Sequence, residues 1–470
     1  MSKKIPYWAG PAVAAAVLTA LYVSTLAWDT HVDPLMYSVN VEADHFRRLV
    51  ESNRLFYSLF VWSARRALMA VGFPLRAFTL FQLLSLGTSV GTLGLAGLWI
   101  ARRKGGLMAT AVVALAGTTS IWWRLSVEPH SHVPSLLPAL GALLAWDGWL
   151  RDGRYRRLLL AGFLWAVAMV LHQAHVLLAF VFLVSAWRRR AAWMFVGAAG
   201  AVMLGLYGLG ATVAQAWSSP GFIAFCIGKG GQASLWSPSL LTFFKTGGGA
   251  VLGRSWVAWV SLAAAVAAAY AGRGRVERDA VARRWIVAWA GVYGAFFLVF
   301  EPVEVFYWTF LIWPFLFLFA EGASRPKFVA ALLLLAAALH FPAVRAERLK
   351  AADPDACPSV ARALDWARQS GPGDLFLVTE TPDARFPFQL YVFGDRTAVA
   401  VDRDTGGRGA GSVVRIAALA DSIEGAGGRV FLADDARAAV QGDALPAWEA
   451  FLASRAWSPA WPGASTGRRR

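Results

Sequence analysis

Apolar runs alternate along this chain with short polar segments rich in arginine and lysine. A helix that crosses a membrane needs about 20 consecutive apolar residues. The first run covers Tyr7–Ala27. Others follow at Arg76–Ile100, Leu107–Trp123, His132–Leu150, Leu158–Leu171, Val176–Trp187, Ala192–Val213, Trp256–Ala271, Trp285–Phe300, Tyr307–Ala320 and Phe328–His340, which predicts about eleven transmembrane helices. Leu55–Phe73 is also apolar, but Arg65 and Arg66 stand in its middle. Two arginines at the bilayer centre would cost several kcal/mol. This segment is therefore expected to lie at the interface or to re-enter partway. Leu158–Leu171 and Val176–Trp187 are short and meet at the polar sequence HQAH, His172 to His175. That pattern predicts two helix ends dipping below the membrane surface.

Composition supports this reading. Hydrophobic residues make up 57% of the chain and charged residues 16%, with a mean hydropathy of +0.49. In soluble domains about a quarter of residues are charged. The chain reads as a multi-pass membrane protein. A net charge of +16 would suggest nucleic acid in a soluble protein, but here the basic residues cluster in short loops, as the positive-inside rule requires. No nucleic-acid partner is expected. The basic start is followed by a run long enough to span, so it reads as a first helix or uncleaved anchor. With the amino terminus cytoplasmic and Leu55–Phe73 not crossing, the basic clusters at Lys3–Lys4, Arg102–Lys104, Arg151–Arg157, Arg188–Arg190, Arg273–Arg284 and Arg325–Lys327 all fall inside. The acids Asp29, Asp33, Glu42, Asp44, Glu51, Glu128, Glu301 and Glu304 then fall outside.

From about Arg345 the character changes. ACPSVARALDWARQ reads as a helix, DLFLVTE, TAVAVD and RVFLADD as short buried strands, and DARAAVQGDALPAWEAFLASR as a further helix. The expected organisation is a transmembrane domain over 1–344, with a first outer loop at 28–75, and an extracytoplasmic α/β domain over 345–470. The end, GASTGRRR, is expected to be disordered. No strand is followed by GxGxxG, so no nucleotide site is expected. Cys226 and Cys357 both fall on the outer side, where an oxidising compartment would allow pairing. Two unpaired thiols are the favoured expectation.

Candidate chemistry gathers in the first outer loop. Asp33 and Tyr37 stand four apart just beyond the first span, and an ionised carboxylate there can act as a general base. Asp29 and Asp44, the latter beside His45, compete for the role. Glu128 and His130 occupy the second outer turn. His172 breaks a helical pair near membrane depth, where polar groups are functional candidates. With His175 it offers two metal ligands without an acidic partner, too few for a convincing metal set. Arg65, Lys229, Lys245 and Arg254 lie on the outer side against the general charge rule, which suggests an anionic ligand such as a lipid phosphate. There is no Walker loop, HExxH, GxSxG or CxxC.

The order of these features resembles the GT-C class of membrane glycosyltransferases, which includes protein O-mannosyltransferases and the aminoarabinose transferases of lipid A. The matching residues are Asp33 and Tyr37 in the outer loop, then Asn53, Leu55 and Tyr57 opening the interfacial helix. Glu128 in VEPHS is similar to the acidic residue of the class's second outer loop. LHQAH resembles its helix break, FEPVEVFYW its late outer loop, and PGDLFLVTE with TAVAVD its small outer domain. The resemblance implies a polyprenyl-phosphate sugar donor, inverting transfer to an acceptor it does not identify, and Asp33 as the base. Tyr37, His45, Asn53, Tyr57, Arg65, His130, His172, Lys229 and Arg254 would bind substrate, with Glu128 a second catalytic acid. It implies no cofactor and leaves a divalent cation open. It departs at Asp33-Pro34, where many members carry Asp-Glu. A flippase for a lipid-linked glycan and a non-catalytic scaffold of the same fold are the alternatives.

Overall fold

The computed structural model describes residues 6–44, 46–51, 53–215, 223, 225–226, 235–253, 255–270, 279–380, 383–406, 410–461 and 464–469. The chain is mostly helical and forms two compact units, Met1–Leu26 with Asp44–Leu349, and Ala27–Ala43 with Lys350–Arg470.

Every apolar run carries a helix. In chain order these elements are α1 (Ala9–Val23), α2 (Val32–Glu42, part of the second unit), α3 (Tyr57–Ala70), α4 (Ala77–Lys104), α5 (Gly106–Thr118), α6 (Ser120–Val127), α7 (His132–Asp152), α8 (Tyr155–Leu171), α9 (Leu178–Ala186), α10 (Arg190–Ala214), α11 (Leu240–Val251), α12 (Trp256–Tyr270), α13 (Ala280–Val299), α14 (Trp308–Gly322) and α15 (Pro326–Ala352). Five of the described helices are long and apolar enough to cross a membrane, or six if α5 and α6 count as one bent span. The expected single run Leu107–Trp123 is instead broken at Thr119, whose extended backbone bends the pair by 69°. The last run, expected to stop at His340, continues to Ala352, because RAERLKAA contains no glycine or proline to end it.

Close packing relies on small residues. At Gly117 of α5 a Cβ would meet Leu18 at 2.3 Å, and Tyr22 Oη donates to the Gly117 carbonyl at 2.7 Å, so α1 lies directly against α5. Three buried indoles find hydrogen-bond partners inside the protein. Trp123 Nε1 donates to Thr25 Oγ1 at 2.8 Å, Trp146 to Ser185 Oγ at 3.0 Å and Trp165 to the His175 carbonyl at 2.8 Å.

Ions tie together one end of four helices. Arg103 of α4 bonds Glu321 of α14 at 2.8 Å, pairs with Asp279 at the start of α13, and lies 3.9 Å from Asp147 of α7. Arg151 grips Asp147 through two bonds of 3.0 Å and Asp279 at 2.5 Å. Lys104 reaches Glu321 at 3.4 Å, and Trp285 Nε1 donates to Asp147 at 2.9 Å. Asp279 also caps α13, accepting from Val281 N and Ala282 N.

The second unit is built on a five-stranded sheet of order β2-β1-β3-β5-β4, from β1 (Leu375–Val378), β2 (Thr397–Ala400), β3 (Val430–Ala433), β4 (Arg455–Trp461) and β5 (Ala464–Arg469). The first three are the strands read from the sequence and are parallel. Around them pack α16 (Pro358–Gln369), α17 (Phe386–Val392), α18 (Val401–Gly406), α19 (Ala410–Gly425) and α20 (Leu445–Ala453). Helix α16 turns Val360, Ala363, Trp366 and Ala367 inward at helical spacing. Two expectations are corrected. Of the carboxy-terminal segment, the described residues 464–469 form a strand. Ala464–Arg469 pairs antiparallel with both β3 and β4, and at Gly467 a side chain would meet the Trp457 ring at 2.6 Å, so glycine lets that ring lie across the strand. DARAAVQGDALPAWEAFLASR is not one helix. Gly442, at φ +65°, separates two short 3₁₀ turns, and only Leu445–Ala453 is α-helical.

Candidate functional site

In the helical unit, four stretches picked out from the sequence converge. The chain entering α3 bonds to the α8 break: Gln173 N donates to the Asn53 carbonyl at 2.8 Å, and Phe56 N to the Val170 carbonyl at 2.9 Å. Across the break, the His172 ring lies 4.5 Å from that of His132, at the start of α7. His132 is 6.0 Å from Tyr307, and His130 is 4.7 Å from Phe306, which brings in the late loop. Gln82 of α4 holds the second outer turn by donating to the Val127 carbonyl at 3.0 Å. Tyr57 is buried with its ring 4.9 Å from Phe81. Arg54 bonds Glu51 at 2.7 Å, and Tyr307 Oη donates to Glu301 at 2.8 Å.

Glu128 lies at the centre of the second turn and is 1% exposed. Arg124 Nε donates to it at 2.9 Å, Arg348 Nη1 lies 3.5 Å away, and His130 Nε2 3.9 Å away. Arg348 is itself buried and also pairs with the exposed Glu347. The guanidinium of Arg124 sits 5.2 Å over the Phe306 ring. The group brings two guanidinia, two carboxylates and a histidine together, with Glu128, His130 and Arg348 buried.

His172 caps the 3₁₀ turn Gln173–Leu177 by accepting from Ala174 N at 3.2 Å. His175 is held by Tyr293 Oη at 3.0 Å and Ser135 Oγ at 2.9 Å. No group of three or more His, Cys, Asp or Glu among the described residues is placed to hold a metal ion.

The first-loop acids fall in different settings. Asp33 stands in the first turn of α2 and its Oδ2 accepts from Tyr37 Oη at 2.8 Å. Asp29 bonds Arg385 at 2.5 Å. Both belong to the second unit. Asp44 belongs to the helical unit, adopts φ +52°, and accepts from Trp62 Nε1 at 2.7 Å and Arg66 at 2.6 Å. Those two bonds hold its carboxyl below the usual carboxylate range. Arg65 lies on α3, next to that pair in sequence. His45, Lys229 and Arg254 lie outside the described residues. Cys226 and Cys357 are free thiols.

Arg124, His132 and Arg348 were not anticipated. The Arg124–Glu128 spacing of four on a helical stretch was the available signal. Arg348 carried none, because its helix was expected to end earlier.

No protein-family model matches the chain, and no curated protein does. Solved structures do. ArnT from Cupriavidus metallidurans bound to undecaprenyl phosphate superposes with a TM-score of 0.63 at 12% identity, covering 97% of each chain. An arabinofuranosyltransferase, AftD, from Mycobacteria gives 0.54 at 16% identity, covering 98% of this chain and 40% of the other. An Archaeoglobus fulgidus oligosaccharyltransferase in complex with zinc and sulfate gives 0.52 at 14% identity, covering 93% and 70%. The chain has the GT-C glycosyltransferase fold. Its apolar helices are those of a multi-pass membrane protein.

Proposed function

We propose that the protein is an inverting glycosyltransferase. It moves a sugar from a polyprenyl-phosphate donor to an acceptor at the outer face of a bacterial cytoplasmic membrane. The observation that carries this reading is the end-to-end agreement of fold with ArnT bound to undecaprenyl phosphate, over 97% of both chains. In this reading the chain crosses about eleven times, with its amino terminus cytoplasmic and its α/β unit outside.

Asp33 is the proposed base. The acceptor attacks the anomeric carbon from the face opposite the phosphate and its proton passes to Asp33. The bond from the anomeric carbon to the phosphate oxygen breaks, and its electron pair leaves with the phosphate. That group departs as a stable anion, so a general acid is less necessary than in a glycosidase. The hydrogen bond from Tyr37 fixes the Asp33 carboxylate on α2. Arg124 and Arg348 are assigned to the carrier phosphate, in addition to the expected Arg65, Lys229 and Arg254. Glu128, expected as a second catalytic acid, is assigned the orienting of those two guanidinia, since it is buried between them. Asn53, Tyr57, His130 and His172 contact the sugar.

The test uses the protein in nanodiscs with a panel of undecaprenyl-phosphate sugars and a cell-envelope extract as acceptor source. Release of undecaprenyl phosphate with at least one donor, abolished in Asp33→Asn, supports the reading. No release with any donor, or full release by Asp33→Asn, contradicts it.

A further inference from the structure

The segment that carries Asp33 is held by residues some 350 positions away in sequence. Arg385 is fixed first by its neighbour Asp383, with Nε on Oδ1 at 2.9 Å and Nη2 on Oδ2 at 3.1 Å. That grip spends one edge of the guanidinium and leaves Nη1 to reach outward. Nη1 donates to Asp29 Oδ1 at 2.5 Å and to the Thr30 carbonyl at 3.3 Å. Alongside, Trp28 N and Asp29 N both donate to the Ala351 carbonyl, at 2.9 and 3.0 Å, and the Trp28 ring packs 5.0 Å from Phe393. Helix α2 begins two residues beyond Thr30, and Asp33 is its second residue. The approach to α2 is thus anchored at its backbone, by an aromatic contact and by an ion pair, all inside one compact unit.

We infer that Arg385 is a positioning residue for Asp33, and that the carboxy-terminal α/β unit serves the reaction by fixing the start of α2. This rests on the reading of Asp33 as the base. Arg385 itself touches no reacting atom. Its planar fork bonds two carboxylates at once, which a lysine cannot reproduce fully. A misplacement of about 1 Å at a reacting group can cost about a hundredfold in rate.

The test compares five single variants and one double variant in full-length protein in nanodiscs, with undecaprenyl phosphate as the binding probe. Arg385→Gln lowers donor turnover about tenfold to a hundredfold, leaves undecaprenyl phosphate affinity within about twofold, and speeds amide exchange in residues 32–42 but not in β1 or β3. Arg385→Lys recovers part of the rate. Asp29→Asn removes the charge from the same pair at its other side while leaving Arg385 on Asp383. Its loss, and that of the double variant with Arg385→Gln, equals the loss in Arg385→Gln alone. Arg429→Gln, which breaks the separate 2.8 Å pair with Asp374, keeps wild-type turnover. Wild-type turnover in Arg385→Gln, with Asp33→Asn inactive, overturns this inference and spares the base. Turnover in Asp33→Asn removes the base and the inference with it. If Arg385→Gln fails to fold, Asp29→Asn decides by the same two readouts.

Discussion

Two charged clusters of the helical unit differ in kind. At the Arg103 end, three cations (Arg103, Lys104, Arg151) meet three carboxylates (Asp147, Asp279, Glu321), and an indole fills a further lone pair on Asp147. Charge balances there and helix ends are joined. At the Glu128 end, two guanidinia meet one buried carboxylate and one exposed one, Glu347, with a histidine and aromatic rings around them. Balance marks a clamp, because each ion's desolvation is offset by a partner. The Glu128 end instead gathers histidines and aromatic rings from separate stretches of the chain, and it is the end assigned to the carrier phosphate. Counting salt bridges alone would have scored both ends as structural.

The largest effect is expected at the base. Asp33→Asn should lower turnover by about a hundredfold to ten-thousandfold, read as undecaprenyl phosphate released, with affinity for that lipid unchanged. Next come the two cluster carboxylates, whose comparison is the sharper one. Removing one partner of a buried pair costs about 3–5 kcal/mol, so Asp147→Ala and Glu128→Ala should both lower the thermal unfolding temperature. Only Glu128→Ala should also weaken undecaprenyl phosphate binding. Equal losses of binding in both would erase the distinction between the two ends. A third expectation concerns Arg348→Gln. A charge-assisted hydrogen bond contributes about 1.5–3 kcal/mol, so lipid affinity should fall about tenfold to a hundredfold, as measured by native mass spectrometry.

The smallest effect is a pH dependence in the second unit. Burial by itself would raise the Asp383 carboxyl, but hydrogen bonds from Arg385 outweigh it and hold the group below its ordinary range. The Arg429 guanidinium and two backbone N–H groups likewise outweigh burial at Asp374. Both folded values lie below the unfolded ones. The stabilisation is therefore complete above the ordinary carboxylate range and is lost as pH falls through the folded values. Melting between pH 7 and pH 3 should show this fall, and Arg385→Gln should flatten it.

Much of the fold was legible because apolar length and loop charge are dictated by the membrane itself. Each run gave a helix, and the polar HQAH sequence gave the break at His172. Strands LFLV and VFLA were legible because strands buried on both faces read as continuous apolar runs. The closing hairpin was not, since Arg455–Trp461 and Ala464–Arg469 mix polar and small residues whose place is set by Trp457 and β3. Glu128 and His130 stood out in the sequence as a charged pair at a tight turn. The guanidinium of Arg348, about 220 residues away in sequence, could be found only through tertiary structure. Arg385 was hidden for the same reason, because a bond across 356 positions leaves no local spacing to read.

The most direct measurement of the central claim is the affinity of undecaprenyl phosphate for the wild-type protein, Arg348→Gln and Asp147→Asn, in nanodiscs at one salt concentration. The expected result is saturable binding by the wild type, a loss of about tenfold or more in Arg348→Gln, and wild-type affinity in Asp147→Asn. Unchanged affinity in Arg348→Gln, or an equal loss in Asp147→Asn, would contradict the assignment of the Glu128 end to the carrier phosphate.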